Sequence, residues 1–261
     1  MQLQPFEVGE ERYPLEKGNV YAEDPARRGG QKRLAATIGY VALGMPIVLA
    51  LGGIVLSWFE LGEFTESLSA FYYQEFLLGD VFVGCLVFLG VAMFAYQGWH
   101  SKVATLASFC GICMFLVALF PSDGWIMLDE VSDDSFSGFV IFETVSDQVH
   151  LWAAVIVFLI LAWFCFFVFT RVKPEQIGPD GELIPTKLNR NRFYRLSGTI
   201  ILISLVATGM AFLLDEQVVR EYRLIYVGET VCLLTYGVSW MVHGRVFAPL
   251  SDPRDVEDAK V

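Results

Sequence analysis

Six apolar stretches, each close to the length a helix needs to cross a bilayer, constrain this chain more than any other feature. A helix rises ~1.5 Å per residue, so about 20 mostly apolar residues traverse a hydrocarbon core of roughly 30 Å. Residues 34–58, 78–98, 103–121, 149–170, 196–214 and 224–243 meet that requirement. Hydrophobic residues make up 55% of the 261, more than a soluble domain of this size has interior to hide, so the surplus faces lipid. The chain reads as all-α, one polytopic bundle of six spans (34–244), with an N-terminal segment 1–33 and an acidic tail 245–261. About thirty charged, weakly apolar residues precede the first span, which sets it apart from a cleavable signal.

Orientation follows from the basic residues, because lysine and arginine beside a span are retained on the cytoplasmic side. Every lysine and arginine except Arg220 and Arg223 falls in the N-terminal segment, the second or fourth loop, or the tail. This predicts both termini inside, in a prokaryotic plasma (inner) membrane. The first and third loops are acidic, with Glu60, Glu63, Glu66 and Glu75 in one and Asp129, Glu130, Asp133 and Asp134 among the acids of the other. Clustered carboxylates suit divalent cations, but no D-x-D-x-D-G loop is present, so a solvated acidic face is the expectation. Trp58, Phe59, Phe64, Phe71, Tyr72 and Tyr73 place the first loop along the membrane interface. A net charge of −11 argues against nucleic acid as a partner, leaving the lipid bilayer with a membrane-protein partner or small ligand.

Ionisable groups at membrane depth carry the functional information, since burying one without a partner costs several kcal/mol. Asp80 opens span two, His150 opens span four, and Glu229 lies about 7.5 Å into span six by helical rise. All three spans run from outside to inside, so the groups share a depth and converge on one outward-facing polar pocket, joined by Ser69 and Tyr73. Helical spacing predicts an inward face for each: Asp80 stacks with Gly84, His150 with Ala153 and Ala154, and Glu229 with Leu233, Tyr236 and Trp240. Ser204 and Thr208 add a hydroxyl stripe on span five.

Two carboxylates and an imidazole suit a divalent metal, an acid–base pair or a proton relay. The bland alternative is that the carboxylates cap helix ends and His150 pairs with one of them. His100 and His243 read as solvated residues of the cytoplasmic interface. Cys110 and Cys113 form a C-x-x-C pattern in the middle of a span, where thiols pack as small hydrophobes. The chain lacks a G-x-S-x-G elbow, an H-E-x-x-H helix, a Walker loop and a dinucleotide fingerprint, so no cofactor is predicted.

The run Ser67-Leu68-Ser69-Ala70-Phe71-Tyr72-Tyr73, followed by Asp80-Val81-Phe82-Val83-Gly84 and Leu119-Phe120-Pro121, resembles a group of uncharacterised bacterial six-span membrane proteins. His150, Arg190-Asn191-Arg192-Phe193-Tyr194-Arg195 and Glu229 with Gly237-Val238-Ser239-Trp240 extend the likeness. This chain departs from the group's pattern at Gly79, where an arginine is usual, and at His243, where a lysine is. A fainter similarity is to the alkaline ceramidase and adiponectin receptor membrane hydrolases, through Ser69 and Asp80. Their zinc histidines are replaced here by Tyr73, Glu229 and Trp240. The expectation is a ligand-binding or accessory membrane protein; a metal-dependent hydrolase, with Asp80, His150 and Glu229 as ligands, and a proton- or ion-coupled transporter are the alternatives.

Overall fold

The computed structural model describes residues 25–62, 64–74, 77–98, 101–120, 122 and 137–252, with the helical backbone alone for 25–28 and 137–144. His100, Glu63, Glu75, the Asp129, Glu130, Asp133 and Asp134 cluster and the tail beyond 252 lie outside the described residues. The described residues form seven α-helices: α1 (Pro25–Trp58), α2 (Leu78–Ala95), α3 (Ser101–Leu119), α4 (Ser137–Trp163), α5 (Pro185–Ala211), α6 (Glu216–Glu221) and α7 (Leu224–His243). All but the short α6 are long and apolar enough to cross a membrane, and no strand occurs among the described residues. This is a membrane protein of the expected all-α, six-span class.

The spans form a closed ring, each packing against its neighbour in sequence and α7 closing against α1. Packing in lipid lacks a hydrophobic drive between helices, so close backbone approach supplies the contact energy. Two crossings depend on glycine. A Cβ on Gly39 would lie 2.8 Å from the Gly237 carbonyl oxygen, and one on Gly237 would lie 2.7 Å from the Leu43 nitrogen, so α1 and α7 touch backbone to backbone. Gly90 and Gly111 do the same for α2 and α3. Inside the ring, Tyr236 donates to Met93 Sδ at 3.6 Å, and Cys110, Cys113, Cys165 and Cys232 are buried free thiols. Outside, Leu51, Ile54, Leu196, Ile203, Val206 and Met210 are exposed, as a lipid-facing surface requires.

Two helix boundaries depart from the sequence reading. The helix that carries the fifth apolar stretch begins at Pro185, ahead of the stretch itself at 196, because proline suits a first helical turn and the basic run behind it continues the helix. Lys187 and Arg190, expected in a loop, are therefore buried on α5. After Trp163 the fourth span continues as one π-helical turn, Phe164–Val168, closed by Phe169 N–H donating to the Phe164 carbonyl at 2.9 Å. The wider turn keeps Phe164 and Phe169, five residues apart, on the same buried face.

Starting points and ends alternate, so one end of the ring holds the start of α1 and the end of α7. We call it the proximal end and its opposite the distal end.

Candidate functional site

At the distal end the first loop turns back into the ring. In its short 3-10 turn, Ser69–Tyr73, Ser67 Oγ accepts from Ala70 N–H at 3.0 Å, but the N-cap Leu68 offers no side-chain acceptor for the N–H groups before it. Glu229, one turn into α7, supplies an acceptor for those from outside: Leu68 N–H donates to Glu229 Oε2 at 2.7 Å, and Ser69 N–H faces the same carboxylate. A carboxylate suits this place because the first N–H groups of a helical turn lack internal partners and carry partial positive charge. Aromatic packing fixes the turn as well. Phe71 is fully buried against Phe64 and Tyr226, with ring centroids 6.0 and 6.4 Å away, and Tyr226 N–H donates to the Glu66 carbonyl at 3.1 Å.

Hydroxyls extend the cluster. Ser122, just beyond α3, donates to Ser69 Oγ at 2.9 Å, and Ser69 and Ser67 share a 3.0 Å bond. Two residues before Ser122, the Phe120 carbonyl accepts from His150 Nδ1 at 2.7 Å. A carbonyl only accepts, so His150 carries its proton on Nδ1. The structure thus joins Glu229, Ser69, Ser67 and Ser122 through one hydrogen-bonded turn and brings His150 to the same end through Phe120. His150 bonds a carbonyl and neither carboxylate.

Asp80 and Tyr73 stand differently. The buried face of α2 runs through Leu78, Phe82, Leu86 and Leu89, which leaves Asp80 and Gly84 on the exposed face; Tyr73 is 44% exposed. The inward stacking expected for Asp80 is not seen, because one residue's rotation on a helix is 100° and the apolar face took priority. Glu229 and His150 do stack as expected, over buried Tyr236 and Trp240 and over buried Ala153. Among the described residues no group of three His, Cys, Asp or Glu side chains is placed to hold a metal ion. Ser204 and Thr208 serve packing: Ser204 donates to the Gly228 carbonyl at 3.3 Å, and Thr208 lies where a Cβ on Gly228 would stand.

The proximal end holds a second polar cluster that the sequence reading missed. Asp252, in the segment after α7, returns to the bundle and accepts from Arg190 Nη1 at 2.9 Å and Arg190 Nη2 at 2.8 Å. Thr186 Oγ1 donates to Oδ1 at 2.7 Å and Gln176 Nε2 to Oδ2 at 2.8 Å, while Arg190 also donates to the Leu250 carbonyl. Partial burial disfavours the charged Asp252 carboxylate, but the Arg190 fork and the Thr186 and Gln176 bonds outweigh that and hold it well below the usual carboxylate range.

Beside this cluster, His243 is not a solvated interface residue, as its position next to Arg245 suggested. Its ring stacks on Phe169 with centroids 4.4 Å apart, and Nε2 lies 3.1 Å from the Tyr96 hydroxyl. No local motif announced these pairings, since Gln176 and Arg190 meet Asp252 across 76 and 62 residues. The one available signal was the density of polar residues between 185 and 195 next to an apolar span. Compared with family models, curated proteins and solved structures, the chain matches none.

Proposed function

We propose that this protein is a ligand-binding or accessory protein of a prokaryotic plasma membrane, both termini cytoplasmic, with an outward-facing polar site at the distal end. Glu229, His150, Ser69, Ser67 and Ser122 form the site, with Asp80 and Tyr73 on its exposed rim; the lipid bilayer and a small ligand or membrane-protein partner are its company. One observation carries the reading. The ionisable groups that catalysis would need are bonded to main chain: Glu229 to the N–H groups of Leu68 and Ser69, and His150 to the Phe120 carbonyl. The bonds of the Ser69 hydroxyl run to serines, so the nucleophile and base of a hydrolase are not in contact.

Purified protein in detergent tests it by thermal-shift screening of small polar ligands against wild type, Ser69→Ala and Glu229→Gln. A ligand that stabilises wild type and not the two variants supports the site. Stoichiometric zinc in metal analysis, with amide or ester hydrolysis lost in His150→Ala, would transfer the assignment to a membrane-embedded hydrolase.

A further inference from the structure

The hydrogen bonds to the Asp252 carboxylate come from outside the segment that brings it, from Arg190 and Thr186 on α5 and from Gln176 on the 3-10 turn Pro174–Gln176, while Arg245 of its own segment adds a longer ion pair at 4.0 Å. Arg190 is wholly buried on α5, one of the six spans. Thr186 stands in the first turn of the same helix, where the helix dipole favours an anion. Gln176 is oriented by its neighbours: Lys173 N–H donates to its Oε1 at 3.0 Å, and Ile184 N–H to its carbonyl at 3.0 Å. With Oε1 so engaged, the Gln176 amide must present its NH2 to Asp252. The planar Arg190 fork meets the two carboxylate oxygens in parallel, the geometry by which guanidinium recognises carboxylate.

Asp252, by contrast, arrives on the short segment past His243. That segment leaves α7 through Arg245, whose φ of 63° lies in the left-handed region that a side chain resists. It then returns by a 3-10 turn, Ala248–Leu250. Two of the donors sit on a spanning helix and the third on the turn that precedes it, whereas the acceptor sits on the segment that follows α7.

We propose that the proximal end is a preformed carboxylate-binding site, built by Arg190, Thr186 and Gln176 and occupied in cis by Asp252. A carboxylate-bearing ligand reaches it by displacing the C-terminal segment, which acts as an internal competitor. The site stands at the opposite end from the Glu229 cluster and does not depend on the function proposed there.

Chemical rescue tests this on the full-length protein in detergent. Asp252→Ala leaves the three donors without an anion, so its midpoint of thermal unfolding falls and trypsin cleavage after Arg245 speeds up by about tenfold, reporting the opened segment. Formate or acetate, against chloride at equal ionic strength, should restore the midpoint along a saturable curve, while wild type stays unmoved and Arg190→Gln combined with Asp252→Ala shows no rescue. Equal response to chloride, or none to any carboxylate, overturns the proposal. Rescue by inorganic phosphate that exceeds rescue by formate overturns the carboxylate assignment. Should Asp252→Ala fail to accumulate, Asp252→Asn, which keeps the volume and drops the charge, is read by the same cleavage assay with the same two outcomes.

Discussion

Replacing Glu229 by alanine removes the acceptor that holds Leu68 N–H at 2.7 Å and faces Ser69 N–H. Leu68 is 2% and Ser69 is 6% exposed, so water does not freely replace the carboxylate. A donor left buried without a partner costs about 1–3 kcal/mol, so two of them put Glu229→Ala at a loss of about 2–6 kcal/mol. Glu229→Gln keeps one acceptor oxygen and forfeits charge assistance, for a loss of about 1–2 kcal/mol. Thermal unfolding in detergent, followed by tryptophan fluorescence, resolves the two, because each kcal/mol shifts the midpoint by roughly 2–4 °C at this chain length. The aromatic contacts of Phe71 with Phe64 and Tyr226 remain in both variants, so the first loop weakens without detaching. Shifts below ~0.5 kcal/mol for both substitutions would refute the cap, since isosteric and truncating changes differ only if those N–H groups depend on Glu229.

Three further outcomes follow from other parts of the molecule. Gly237→Leu should destabilise by ~3 kcal/mol or more, since its Cβ alone would meet the Leu43 nitrogen at 2.7 Å, and a midpoint equal to wild type would contradict the α1–α7 crossing. Because Asp252 has its folded-state acidity strengthened, its contribution is complete above the ordinary carboxylate range and is lost as pH falls through and below it. Trypsin is inactive there, so the protection of amides 245–252 from hydrogen exchange, relative to the intrinsic rate at each pH, is the readout; unchanged protection on acidification would count against the Arg190 clasp. For the proposed orientation, a cysteine at Asp180, an exposed position, should react with an impermeant maleimide in inside-out vesicles and stay silent in right-side-out ones; the reverse pattern inverts the topology.

Much of the distal site was legible because depth is linear in sequence. Counting residues into spans two, four and six placed Asp80, His150 and Glu229 near one plane, and the apolar positions around Glu229 gave its facing correctly. Asp80 shows where counting fails: its helix chose Leu78, Phe82, Leu86 and Leu89 for the inside, and the apolar moment of so uniformly hydrophobic a segment is too weak to read by eye. The capped turn was illegible for another reason. Its acceptor, Glu229, and its donor, Leu68, are 161 residues apart, and the donor is a main-chain group that every residue type except proline possesses.

What the sequence determined by itself is the solvent: long apolar windows have one stable form in lipid, the internally bonded helix, so class and number of spans follow from composition and order alone. Which faces meet, and which polar groups find one another, only the tertiary structure decided. Gly39 against Gly237 sets how closely α1 and α7 approach, and the turn at Arg245 carries Asp252 back to Arg190. Such pairings minimise unsatisfied polar groups over the whole ring at once, a condition on three-dimensional packing that no local window of residues contains.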